Sequence, residues 1–393
     1  HYYAENIPMR FPEGVSIGNQ RTINGTFSTL AEFPDRELTG EDVIWSGNEQ
    51  DGFLSSHRLL TMGTHTGGGY FGPPTGKRFV IRAIADCAAI NNQINDEWLI
   101  RDTAGLVLQL GLDPKEFARD LIVREGGAER CVTPFSPAVD VQGPYNSRGN
   151  ENEWGARLSD ILRRMMEKDF SVIRAEYDRA VQTEHPGSTT VHSWADTEKL
   201  WMGLRASFPS AEFSVDHQIG REDPMLSPRA AVRWSLNGTH DGWGMFGQPT
   251  GAQIHVMGFT HAEFGPYGLR REFTLFDPVS SSPRVFLIVV TIPASIKISW
   301  KDFITTLFEH LYPLFENGLN GIKLSFDGTS LISLMSSLAC SAESLTPSNM
   351  TYSNVTKSLG ALSIYLVQED MSLSSGYFLF IGTIMSLSSL FDA

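Results

Sequence analysis

Along residues 152–168 the apolar positions Trp154, Leu158, Ile161, Leu162, Met165 and Met166 recur at helical spacing, which predicts an amphipathic helix. A second helix is expected over roughly 196–207, opening on Asp196 as a cap and stopping before Phe208-Pro209. The pattern then changes to β-type runs: AVRWSLNGTH, AQIHVMGFTHAEF and LRREFTLFD. A glycine-rich turn separates the first two, and Gly265-Pro266-Tyr267-Gly268 the last two. Helices followed by a meander of long strands predict an α+β fold, with helices on one face of an antiparallel sheet.

This unit occurs twice. At a constant offset of 175, Phe33-Pro34 falls on Phe208-Pro209, Arg58 on Arg233 and Asp102 on Asp277. The stretch GTHTGGGYFGPPTG (Gly63 to Gly76) falls on GTHDGWGMFGQPTG (Gly238 to Gly251), with ten identities in fourteen positions. Glu97 meets Glu272 and Trp98 meets Phe273. A gapless block of this kind is a duplication, not a coincidence of turn residues. The expected organisation is a first domain over 1–125, a linker over 126–150 and a second domain over 151–278. The counterpart of the helix at 152–168 would precede residue 1, so the first domain lacks its opening helix.

The copies part after the aspartates. Asp102 leads into TAGLVLQLGLD, which predicts a short helix, whereas Asp277 is followed by Pro278 and SSSPRVFLIVV. From 279 to 393 serine rises to about a fifth of residues and no motif or clean periodicity remains. The break inside a repeat reads as translation of a shifted frame or unspliced sequence; a third domain or a membrane anchor at 376–391 (a weak candidate) are the alternatives. Continuous native sequence across codon 278 of the transcript would remove the first reading.

Composition narrows the function classes. A net charge of −14 without any basic run excludes a nucleic-acid partner. Cys87, Cys131 and Cys340 are widely spaced and odd in number, so they read as reduced thiols, and a cytoplasmic setting without a membrane is expected. The first residue is His1, so a leader cannot be judged. No metal constellation, nucleophile motif or phosphate loop is present, and neither metal nor cofactor is expected.

The candidate chemistry lies at the strand ends. Alternation places Trp98, Ile100 and Asp102 on one face, and Phe273, Leu275 and Asp277 on the same face of the other copy. A carboxylate ending an apolar stripe is desolvated and suited to proton transfer near neutral pH. The competing reading is a cap for the next helix, stronger for Asp102 than for Asp277. His261 lies on the strand before Asp277, with Asp86 at its place in the first copy; their orientation depends on hairpin register. His65 and His240 precede the glycine-rich hairpins and read first as hairpin structure. Glu97 and Glu272 have the opposite parity and are expected to face solvent or pair with arginine.

The Phe-Pro turns, the GTH…FGxPTG hairpins and the closing EW/EF-xxx-D strands resemble the SnoaL-like polyketide cyclase family of the nuclear-transport-factor-2-like superfamily, over roughly residues 5–112 and 150–278. The resemblance implies two tandem cones around apolar cavities and cofactor-free acid/base chemistry such as aldol ring closure or isomerisation. It implies Asp102 and Asp277 as acid/base groups and His261 as a cavity histidine, with His65, His240, Trp98, Phe273 and Asp86 as substrate-binding candidates. The expected partner is an apolar small molecule. A non-catalytic binding module is the alternative, as is a structural protein whose paired sheets form a dimer-like interface.

Overall fold

The computed structural model describes residues 2–127 and 135–279. The first half runs β1 (Pro8–Phe11), β2 (Gly14–Ile17), α1 (Asn19–Glu32), β3 (Glu37–Asn48), β4 (Gly52–Thr64), β5 (Arg78–Ile90), β6 (Gln93–Arg101), α2 (Thr103–Gln109) and α3 (Pro114–Arg124). The second runs α4 (Glu153–Met166), α5 (Ser171–Glu176), β7 (Tyr177–His185), β8 (Thr189–Val191), α6 (Trp194–Ser207), β9 (Glu212–Arg221), β10 (Arg229–Thr239), β11 (Gln253–Gly265) and β12 (Gly268–Phe276). The offset of 175 carries α1 onto α6, β5 onto β11 and β6 onto β12, end to end. Each half is an α+β unit with one six-stranded sheet, in the orders β2-β1-β6-β5-β4-β3 and β8-β7-β12-β11-β10-β9.

The sheets are mixed, which corrects the expectation of purely antiparallel ones. β1 runs parallel to β6, with Met9 opposite Glu97, and β7 runs parallel to β12. These entering strands sit beside the last strand of the meander, which the chain reaches only after crossing the whole sheet. A four-residue run such as PMRF is too short to announce itself by alternation.

The helix expected over 152–168 is α4, capped by the Asn152 side chain accepting from Trp154 N at 3.0 Å. The cap of α6 is Ser193 and not Asp196: its hydroxyl oxygen accepts from Asp196 N at 3.1 Å and its O–H donates to the Asp196 carboxylate at 2.7 Å. The hydroxyl thus satisfies a free first-turn N–H, and the aspartate supplies negative charge to the helix start.

Neither α4 nor α5 has a counterpart among the described residues of the first half. α4 lays Leu158, Ile161, Leu162, Met165 and Met166 into the core over β9 and β10. Its Ser159 hydroxyl donates to Gln218 Oε1 at 2.6 Å, and its Gly155 lies against Gly220. The repeat partners of Gln218 and Gly220 are Val43 and Trp45 on β3, which stand 37% and 38% exposed. Among the described residues no helix lies over this strip of the first sheet.

Both faces of each sheet are occupied. In the first half Ala83, Ala85, Cys87 and Leu99 pack together on the concave face, against Phe11, Leu59 and Ile94. The other parity presents Ile84, Asp86, Trp98 and Ile100 toward the second sheet. There the Arg233 guanidinium lies 3.7 Å over the Trp98 ring, and the Arg58 guanidinium 3.7 Å over the Phe273 ring. The shift of 175 exchanges these two contacts, so the sheets face one another in the self-complementary manner of a two-fold dimer within one chain. No helix among the described residues is long and apolar enough to cross a membrane. The segment from 280 to 393, including 376–391, lies outside the described residues.

Candidate functional site

Register settles where the strand-end carboxylates point. Asp102 Oδ1 accepts from Gly105 N at 2.9 Å and Gly187 N at 2.8 Å, while Oδ2 accepts from Ser188 N at 2.7 Å and Ser188 Oγ at 3.3 Å. It caps α2 and clasps the β7–β8 turn of the other half, so its acceptor positions are filled by structural donors. Asp277 is buried and accepts from Val279 N at 2.8 Å, again a turn-forming contact.

The remaining candidates divide between the hairpins and the seam between the sheets. His65 and His240 lie against Phe33 and Phe208, at 5.4 and 5.5 Å between ring centroids, with Nδ1 at 3.2 Å from Thr75 Oγ1 and 3.1 Å from Thr250 Oγ1. Each contacts its own glycine-rich hairpin. His261 pairs with Phe273, four residues from Asp277 along β12, and its Nε2 lies 2.7 Å from Ser56 Oγ of the first half. The Ser56 hydroxyl also meets Asp86 Oδ1 at 2.5 Å, and Asp86 Oδ2 lies 3.6 Å from His217 Nδ1 and 3.5 Å from Arg233 Nε. Asp86, His261, Trp98 and Phe273 therefore form a cross-sheet seam rather than the wall of a cone. Around Asp86, Trp98, Tyr145, His217 and Arg233 the space is closed even to water. Burial pushes the Asp86 carboxyl up and holds His217 down at about 3 and His261 well below the usual histidine range.

The opposite parity holds the residues that sequence reasoning assigned to solvent. Glu97 is 3% and Glu272 0% exposed, and both lie on the concave faces. Around Glu272, Tyr177 Oη donates to Oε2 at 2.5 Å; Thr274 Oγ1 at 2.7 Å and Trp201 Nε1 at 3.0 Å donate to Oε1. His185 Nε2 stands 3.4 Å from Oε1, and burial lowers that imidazole to about 3, so it stays neutral. Burial pushes the Glu272 carboxyl up against the pull of its donors.

Glu97 sits at the same repeat position with a different environment. Its Oε2 has no hydrogen-bond partner among the described residues. Burial raises its carboxyl to about 7, opposed by the Tyr3 hydroxyl and the Arg101 charge. The Tyr3 phenol is itself held protonated, by burial and by the nearby Glu97. The recurrence of a glutamate at one strand position in both copies was the available signal. Alternation alone does not reveal it, because an apolar stripe marks one buried face and not both.

The cone interiors differ as well. In the second, Trp201, Trp234 and Phe276 fill the space beside Glu272, with ring centroids 6.0 Å apart for the tryptophans and 6.1 Å for Trp234 and Phe276. The flat face of Trp234 depends on Gly258, where any Cβ would strike the indole. The repeat partners of Trp201 and Trp234 are Thr26 and Leu59, and Thr26 is exposed. A separate cleft of about 390 Å³ lies at the end of α4, lined by Arg163, Met166, Glu167, Lys168, Arg205 and Phe213. It involves neither Trp98 nor Phe273. No group of side chains suited to a metal ion occurs among the described residues.

No family model and no curated protein matches the chain. Solved structures do: AclR from Streptomyces galilaeus is 21% identical over 36% of this chain and 98% of its own, with a TM-score of 0.29. IdmH from Streptomyces antibioticus is 24% identical over 28% of this chain and 82% of its own, at 0.24. A SnoaL-like polyketide cyclase from Agrobacterium tumefaciens is 19% identical over 33% of this chain and 94% of its own, at 0.26. SnoaL-like polyketide cyclases are thus among the solved structures this chain resembles, each over about a third of its length.

Proposed function

We propose that the first half carries a cofactor-free acid/base site for an apolar carbonyl compound, with Glu97 as the group that moves the proton. The observation behind this is the contrast between two carboxylates at one repeat position. Glu272 is held at both oxygens by protein donors, whereas Glu97 is equally buried and keeps one oxygen free of any partner among the described residues. A buried acceptor without a partner costs free energy unless something else binds it. With a carboxyl titrating at about 7, both protonation states are populated at neutral pH.

In this reading the Glu97 carboxylate takes a proton from carbon next to a carbonyl. As the carboxylate takes up the proton, the Tyr3 phenol, kept protonated, turns its one O–H from Glu97 to the oxygen on which charge develops. Return of the proton at another carbon shifts a double bond, and attack of the enolate on a second carbonyl closes a ring. Asp102 and Asp277 are structural here, and the second cone, plugged by Trp201 and Trp234, is a fixed partner for the first.

The test is exchange of the α-protons of ethyl benzoylacetate in deuterated water, followed by proton NMR above the uncatalysed rate. Glu97→Gln is expected to reduce the protein-dependent rate roughly 100-fold or more, and Asp102→Asn to leave it unchanged. Equal exchange by wild type and Glu97→Gln would sink the assignment. The filled second cone favours a second reading, a module that binds without turnover; it predicts binding of the ester with no exchange in any variant.

A further inference from the structure

The cleft at the end of α4 is independent of the Glu97 site, and its chemistry points to a different ligand. Three of its lining residues are cations, Arg163, Lys168 and Arg205, against one carboxylate, Glu167. In a chain of net charge −14 such a local excess is out of keeping with the whole. Among the described residues no ion pair within 4.0 Å engages any of the three. Burial lowers the Arg205 pKa, and the Asp241 charge opposes that only at longer range. Neighbouring Arg164, by contrast, is neutralised by Asp169 at 2.8 Å.

Arg205 is a fixed element of the wall. Its Nη1 donates to Phe208 O at 2.9 Å and Ala211 O at 2.7 Å, and its Nη2 to Pro209 O at 3.1 Å, while Nε has no partner among the described residues. Lys168 follows the helix end with φ of 73°, a left-handed conformation that glycine adopts without strain. Phe213 supplies the apolar surface, with only an edge of the buried Met166 beneath it, and the Phe213 ring lies 5.9 Å from that of Trp234.

We propose that this cleft binds a monoanion with a flat apolar body, such as an aromatic carboxylate or sulfonate. The anionic group lies among Arg163, Lys168 and Arg205, and the ring rests on Phe213 and Met166. The tryptophan plug beneath the cleft separates the ligand from Glu272, so this is a binding site and not an entrance to the second cone. Among the described residues it belongs to the second half: Arg205 and Phe213 have Leu30 and Leu38 as repeat partners.

The experiment titrates the full chain with 2-naphthoate and with neutral 2-naphthamide by calorimetry at low salt, with tryptophan fluorescence as a second readout. Naphthoate is expected to bind more tightly than the amide. Arg163→Ala combined with Lys168→Ala should weaken it roughly five- to tenfold, as loss of two partly exposed charge contacts would. Glu167→Gln should tighten it, and raising the salt concentration should weaken it. Glu97→Gln should leave naphthoate binding unchanged, which separates this site from the proposed acid/base site. Equal affinity for naphthoate and naphthamide, or naphthoate affinity indifferent to the double substitution, would overturn the proposal.

Discussion

Two halves built on one repeat surround their buried glutamates differently. Both hold a glutamate on the concave face of the strand that ends the meander, and both carry a Phe-Pro turn and a histidine-bound hairpin. In the second, α4 covers the sheet, two tryptophans fill the cone and the glutamate is saturated with donors. In the first, Val43 and Trp45 remain in solvent, Thr26 and Leu59 stand where the tryptophans are, and Glu97 keeps an open oxygen. In the proposed reading the two carboxylates, both raised by burial, differ through the donors aimed at them.

Exchanging the fillers probes the comparison most severely. Trp201→Thr, which copies Thr26, removes a fully buried ring and a donor to Glu272; it should cost about 3–5 kcal/mol in urea unfolding. The reverse change, Thr26→Trp, falls on an exposed helix position and should stay within about 0.5 kcal/mol. Similar costs for the two would show that the first cone is as closed as the second.

The pH dependence of stability separates the glutamate from the histidines. Glu97 ionises near 4.5 when unfolded and near 7 when folded. Between these values the unfolded chain has released a proton that the folded protein keeps. Stability from this group therefore falls as pH rises from about 4.5 to 7, by on the order of 3 kcal/mol. His185 acts in the opposite sense: it takes a proton near 6.5 when unfolded and only near 3 when folded, so its contribution is lost as pH falls below 6.5. The two trends oppose one another between 4.5 and 6.5. The difference between wild type and Glu97→Gln, from urea unfolding at pH 5 and 7.5, isolates the first. No change in that difference would mean that Glu97 titrates normally.

The smallest effect concerns the aspartates. Asp102→Ala removes a cap and three further acceptor contacts and should cost about 1–3 kcal/mol. Its α-proton exchange should persist under conditions where the variant is folded, whereas exchange lost in a folded Asp102→Ala would restore that residue to the chemistry.

What the sequence made legible follows from periodicity. The spacing of Leu158, Ile161, Leu162 and Met165 located α4 almost to the residue, and the gapless repeat carried two α+β units. The strand alternation was also real, but its face was assigned on the assumption that one side of each sheet is apolar. Here the second side is buried against its twin, with Ile84, Ile100 and Phe273 as apolar as the cone lining. A sheet covered on both faces has lost the contrast that parity relies on. The same ambiguity underlies the expectation that Glu97 and Glu272 face solvent or pair with arginine. The seam of Ser56, Asp86, His217, Arg233 and His261 joins positions up to 205 residues apart, beyond any local pattern.

The exchange of Arg58 on Phe273 for Arg233 on Trp98 has a consequence for how such a molecule can change. In a symmetric pair of separate chains every substitution at the shared face appears twice, and dilution pulls the partners apart. Joined in one polypeptide, the partners stay at a high effective concentration, and each position mutates alone. Asp86 and its repeat partner His261 can meet at the single Ser56 hydroxyl, whose own repeat partner is Ala231, a grouping that identical subunits could not encode.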